Sequence, residues 1–127
     1  MFEQDYIMRL IKELIRMALK MLFGIDTQCP TAELIEEKEQ KETLDRLLDL
    51  VDGGNIDQAE NELYELLSPG NTMRLESALL FYSYLNDKED DFLVKHDFSR
   101  EEIKTGLSAV LSQYGLNNLG EMFLSDV

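Results

Sequence analysis

Three observations predict an all-α protein of six or seven helices packed as αα-hairpins. No stretch of the 127 residues alternates polar and apolar side chains long enough to make a strand. Apolar residues recur instead at spacings of three and four. The two prolines and seven glycines fall between these runs, where helix ends need them. A hydrophobic content of 44% excludes a disordered chain, and the length fits a single domain, 1–127, with one core.

The first element is an amphipathic helix over residues 1–23, FEQDYIMRLIKELIRMALKMLFG with its closing glycine. At 100° per residue Arg9, Lys12, Arg16 and Lys20 share one narrow stripe with Asp5 and Glu13. The apolar arc, from Tyr6, Met17, Leu10 and Met21 round to Met8 and Leu19, spans roughly 220°, about twice what a helix lying on one core needs. Gly24 and the run to Pro30 break it. A second helix is expected from about Thr31 to Asp52. Its first half, EEKEQKE, has no apolar residue and is read as standing in solvent, braced by Glu37 with Lys41 and Glu42 with Arg46. Residues 24–42 are therefore a polar connection and exposed half-helix, and 43–127 a compact helical body.

Within that body Leu44, Leu47, Leu48 and Val51 line one face, and Gly53-Gly54 ends the helix. Asn55 with Gln58 reads as a capping box for a third helix carrying Ile56, Ala59, Leu63, Leu66 and Leu67. Ser68-Pro69-Gly70-Asn71 stops it, and Asn71 or Thr72 caps a fourth, MRLESALLFYSYLN, so apolar that it is taken as the central helix. A charged connection, 86–91, leads to a short turn of helix at Phe92 and Leu93. Ser99 and Glu102 form a second capping box, with Phe98 and Ile103 as its hydrophobic staple. Ile103, Leu107, Val110, Leu111 and Tyr114 make the buried stripe of that helix, and Gly115 caps it. A last helix, near Asn118 to Leu124, should dock Leu119, Met122 and Phe123.

The stretch GNIDQAENELYELLSP resembles the second half of a tetratricopeptide repeat, with Gly54, Ala59 and Leu63 in register. The repeat's earlier aromatic and glycine are missing, Pro69 comes about two residues early, and no second copy follows at the repeat's period of about 34 residues. The whole chain also resembles an uncharacterised family of short, acidic, bacterial helical proteins, carried by FEQDYIMRLIKELIRMALKMLFG and by HDFSREEI. That resemblance implies an all-helical fold and no particular activity.

A net charge of −14 argues against nucleic-acid binding, which rests on cations that release phosphate counterions. Residues 1–23 carry four cations against Glu3, Asp5 and Glu13, so everything after them nets −15. The lone Cys29 cannot pair within the chain, and the acidic MFEQDY is not a secretion signal; both suit a reducing cytoplasm.

The sequence supports no catalytic residue, cofactor or metal site. His96, between Lys95 and Asp97, is read as a solvated loop histidine. The acids Asp87, Glu89, Asp90 and Asp91 fail the calcium-loop pattern, since Phe92 and Phe98 stand where it needs glycine and glutamate. One Cys and one His do not make a zinc site.

The expected function is a protein interaction or assembly module. Tyr6, Leu10, Met17 and Met21 are the assigned contact flank of the first helix, and the partner is a second copy, as a homodimer; the competing reading has the helix sit between several others, with these residues as ordinary core of the monomer. Binding to an anionic membrane surface is the alternative. Its cations each contribute on the order of 1 kcal/mol, but Asp5 and Glu13 interrupt the stripe and the acidic body is repelled. An enzyme is the third reading.

Overall fold

A computed structural model describes residues 2–67 and 73–124, with the side chains of 5–67 and 73–122. Among them are seven α-helices and no strand: α1 (Phe2–Phe23), α2 (Lys38–Asp52), α3 (Ile56–Leu67), α4 (Leu75–Asn86), α5 (Asp90–Lys95), α6 (Arg100–Gln113) and α7 (Asn117–Leu124). A single turn of 3-10 helix, Ala32–Leu34, precedes α2.

The most apolar stretch becomes the axle of the fold. α4 packs against α1, α2 and α6, and only Glu76 and Tyr84 along its length keep appreciable exposure. α2 and α3 pair as a hairpin, and α7 lies against α1 and α6. The chain closes this hairpin with a left-handed residue after α2. Gly54 has φ +87°, Gly54 N–H donates to Val51 O, and Asn55 N–H donates to Leu50 O, the paired bonds of a Schellman cap. Gly115 (φ +74°) ends α6 in the same way. So does Asp97 after α5, the one described non-glycine residue at positive φ (56°); its cap brings Phe98 N–H to Leu93 O. At the start of α6 the expected capping box is present, with Glu102 N–H donating to Ser99 Oγ (3.2 Å) and Ser99 N–H to Glu102 Oε2 (2.8 Å). The staple residues Phe98 and Ile103 are buried beside it.

Several expectations need correction. α2 begins at Lys38 rather than Thr31. Ile35 must reach the core, and the chain meets that demand in extended conformation, so helix cannot form until Glu37 has turned the backbone. Glu37 pairs with Arg74 (2.7 Å) and Lys41 with Asp45, while Arg46 reaches Glu62 instead of Glu42. Nor is the first half of α2 wholly in solvent. Gln40 is buried, and its Oε1 accepts from Arg74 N–H (3.1 Å) and Ser77 Oγ–H (3.0 Å). It thereby caps the N-terminus of α4, whose own N-cap residue, Arg74, supplies no side-chain bond.

α4 begins at Leu75 rather than Met73; the stop at 68–71 and the caps proposed at Asn71 and Thr72 lie outside the described residues. Tyr114, the C-cap of α6, is exposed, because the chain leaves the core at that turn. Met122 is 73% exposed, since α7 docks through Leu119 and Gly120 and buries a narrow face. Phe123 is outside the described side chains.

The leading helix shares the core. α1 packs on α4, α6 and α7, and the segment that follows is pinned down by buried Pro30, whose carbonyl accepts from Ser83 Oγ–H (3.3 Å), and by Ile35. Residues 24–37 thus run over the surface as a fastened loop, not as a tether between α1 and the rest.

Candidate interaction surface

α1 has two apolar faces with different fates. Ile7, Ile11, Leu14, Ile15, Ala18 and Leu19 repeat at three- and four-residue spacing and are all buried. The flank beside them holds the four residues expected from sequence. Tyr6 is 49% exposed, Met17 39% and Met21 64%, while Leu10 is half-buried against the core.

Polar contacts fix the outer edge of this flank. Arg16 donates from Nη1 to Glu13 Oε1 (3.0 Å) and from Nε to Thr27 O (3.2 Å), so the loop after α1 holds the guanidinium beside Met17. Lys20 lies 3.9 Å from Asp26. At the C-terminal end of α1, Leu22 and Phe23 face Met73, Leu75, Tyr114 and Leu116 across an open, mainly apolar groove of about 520 Å³.

Three polar clusters elsewhere brace the fold. The first surrounds Arg100, 2% exposed at the start of α6. Its Nη1 donates to Asn86 O (2.7 Å), and its Nη2 to Lys88 O (2.8 Å) and Asp90 Oδ1 (2.9 Å). Asn86 in turn donates from Nδ2 to Met8 O (2.9 Å), linking α1, α4 and α6. The acids considered for calcium are thus partly spoken for: Asp90 serves Arg100. Among the described residues no group of three or more His, Cys, Asp or Glu is arranged to hold a metal ion.

The second cluster joins α3, α4 and α6. Tyr82 Oη–H donates to Glu60 Oε2 (2.7 Å), with Tyr64 Oη 3.3 Å from Tyr82 Oη. Burial raises the Glu60 pKa from its ordinary value against the opposing bonds from Tyr82 and Tyr64, and the charges of Asp57 and Glu102 add to the rise. Burial, reinforced by Glu60, likewise raises Tyr82. Gly106 makes the approach feasible: a Cβ there would collide with the Glu60 carboxylate and the Tyr82 hydroxyl.

In the third, Lys88 Nζ and Tyr84 Oη both donate to Asp52 Oδ1 at 2.7 Å, and Lys88 lies over the Tyr84 and Phe92 rings. Burial works to raise Asp52, but the bonds from Lys88 and Tyr84 outweigh it and hold its pKa below the usual carboxylate value. His96 belongs here rather than in open solvent. Its ring is 4.6 Å from that of Phe92 and covers Gly54, where a Cβ would strike the imidazole.

Gln40, Glu60, Arg100 and Gly106 are not among the residues expected to matter from sequence. Two had a usable signal. Gln40 shares the spacing of Leu44, Leu47 and Val51, and Gly106 interrupts a helix where alanine is ordinarily favoured. Among the described residues every buried polar side-chain atom has a partner, so none is left aimed at a ligand.

Fold and surface together define a small all-α helical bundle with polar clamps between its helices and one apolar helix flank in water. The chain belongs to the family of unknown function DUF6483, which it matches over residues 1–115. No curated protein and no solved structure matches it.

Proposed function

We propose that this protein is a cytoplasmic interaction or assembly module that self-associates through α1. The observation that carries the reading is the pairing of faces on one helix. The inner face of α1 is as dry as the core, while Tyr6, Met17 and Met21 next to it remain in water. Exposed apolar side chains gathered along one helix flank fit a contact site, and methionines suit an adaptable one. The tetratricopeptide-like hairpin of α2 and α3, with Ala59 buried at the crossing, fits the same class of helical adaptor.

Removing residues 1–23 is not a usable test, because it would empty the core. Light scattering over a range of concentrations should instead report association in the intact chain and a monomer in a Met17→Glu/Met21→Glu variant with an unchanged circular dichroism spectrum. An intact chain that stays monomeric at the highest concentration overturns the proposal.

A membrane-surface role is the second reading, favoured by exposed Arg9, Lys12 and Lys20 on the same helix. Among the described residues no helix is long and apolar enough to cross a membrane, so this reading concerns surface binding alone. Flotation with anionic vesicles at low salt decides it: protein left at the bottom of the gradient removes the idea.

A further inference from the structure

We infer that the second copy docks antiparallel on α1 about a two-fold axis, with Tyr6 against Met21 of the partner subunit and Leu10 against Met17 of the partner subunit. The inference rests on the self-association proposed above and adds its geometry. The spacings from Tyr6 to Leu10, Leu10 to Met17 and Met17 to Met21 are four, seven and four residues, and they read the same from either end. The four residues fall within about 60° of the helix circumference and extend over about 22 Å of its length. A two-fold interface requires that each residue meet the one that meets it, and this reversible pattern is self-complementary about a point between Glu13 and Leu14. It brings the ring of Tyr6 to a methionine sulfur at both ends, a favourable pairing.

Charge selects both the face and the direction. Two chains of net charge −14 repel wherever their acidic bodies meet, and α1 is the segment where the sign is reversed. On the axis the two Glu13 carboxylates come close together, but each is already paired with its own Arg16 at 3.0 Å, and that guanidinium is anchored by Thr27 O. The centre is therefore a set of two acids and two bases with no net charge. A parallel pair would set Lys20, Lys12 and Glu13 each level with its own copy and align the two helix dipoles; the antiparallel pair opposes the dipoles. One helix flank covers less than the ~800 Å² per partner of a standard interface, which places the contact among the small, transient interfaces.

The test places cysteines in a Cys29→Ser background and treats the protein with a short bis-maleimide at a concentration where sedimentation equilibrium reports dimer. Tyr6→Cys/Met21→Cys should give a covalent dimer, whereas Tyr6→Cys alone and Met21→Cys alone should not. Within one helix the two positions are about 22 Å apart, beyond the reach of the reagent. In addition, Met21→Glu should weaken the dimer at least ~10-fold, because symmetry places the change at two contacts. A dimer in which Tyr6→Cys cross-links to itself, or in which no variant cross-links, overturns this arrangement and leaves self-association standing. A chain that is monomeric throughout overturns the proposed function as well.

Discussion

α1 and α4 are both rich in apolar residues and pack against each other, yet water reaches a whole flank of one and almost none of the other. The difference lies in their surroundings. α4 is enclosed by α1, α2 and α6 and buries even Ser77, Ser83 and Asn86, each of which finds a hydrogen-bond partner there. α1 meets its neighbours along one stripe, and beside that stripe Tyr6, Met17 and Met21 stay exposed while Leu10 is only half covered. Apolar content states what a helix can bury; only the layout of its neighbours states what it does bury.

The contrast can be broken first at the C-terminal end of α4. Replacing Arg100 by Met strips the buried Asn86 carbonyl and the partly buried Lys88 carbonyl of their donor, and about 3 kcal/mol of stability should be lost in urea denaturation. Asp90→Asn, at the solvated side of the same cluster, should cost less than about 1 kcal/mol. Next comes Gly106→Ala, which in an ordinary helix would be stabilising. Here the added methyl meets Glu60 and Tyr82, and a loss of about 2 kcal/mol is expected in the same assay.

Glu60→Gln sharpens the contrast through pH. The folded pKa of Glu60 lies above its unfolded value near 4.5, so the folded state binds this proton more tightly. Its stabilising contribution is fully present below pH 4.5 and is lost as pH rises through the folded pKa. Thermal melts from neutral pH downward should therefore show a gain in the native chain, relative to Glu60→Gln, that the variant lacks. The smallest effect belongs to the open flank of α1: Tyr6→Ser and Met21→Ser should change monomer stability by no more than about 0.5 kcal/mol. A larger loss for the monomer would mean that these side chains serve the core after all.

Much of the fold is legible in the sequence because local signals act locally. Gly54 and Gly115 end helices, Ser99 with Glu102 starts one, and the run from Leu75 to Asn86 can only be central. The errors come where a distant residue decides. Thr31 to Glu37 carries helix-compatible residues, but Ile35 is drawn to the core and Glu37 to Arg74. By residue type alone Gln40 is a solvated residue; the start of α4, whose Arg74 N–H it accepts, makes it a buried one. His96 reads as a solvated loop residue in sequence, and α5 folds it over Gly54. The exposed flank lay between these cases: periodicity identifies it as surplus, whereas the clamp of Arg16 on Thr27 at its edge depends on a loop whose path no spacing predicts.

The bond from Asn86 to the carbonyl of Met8 crosses 78 residues, and it sets an order of events on the ribosome. α1 is synthesised long before α4, α6 and α7, the helices that shelter its inner stripe. At 5–20 residues per second the wait for α4 and α6 is roughly 5–20 s. Until they arrive the nascent helix displays both of its greasy sides, so the newborn chain exposes more apolar surface than the closed bundle ever does.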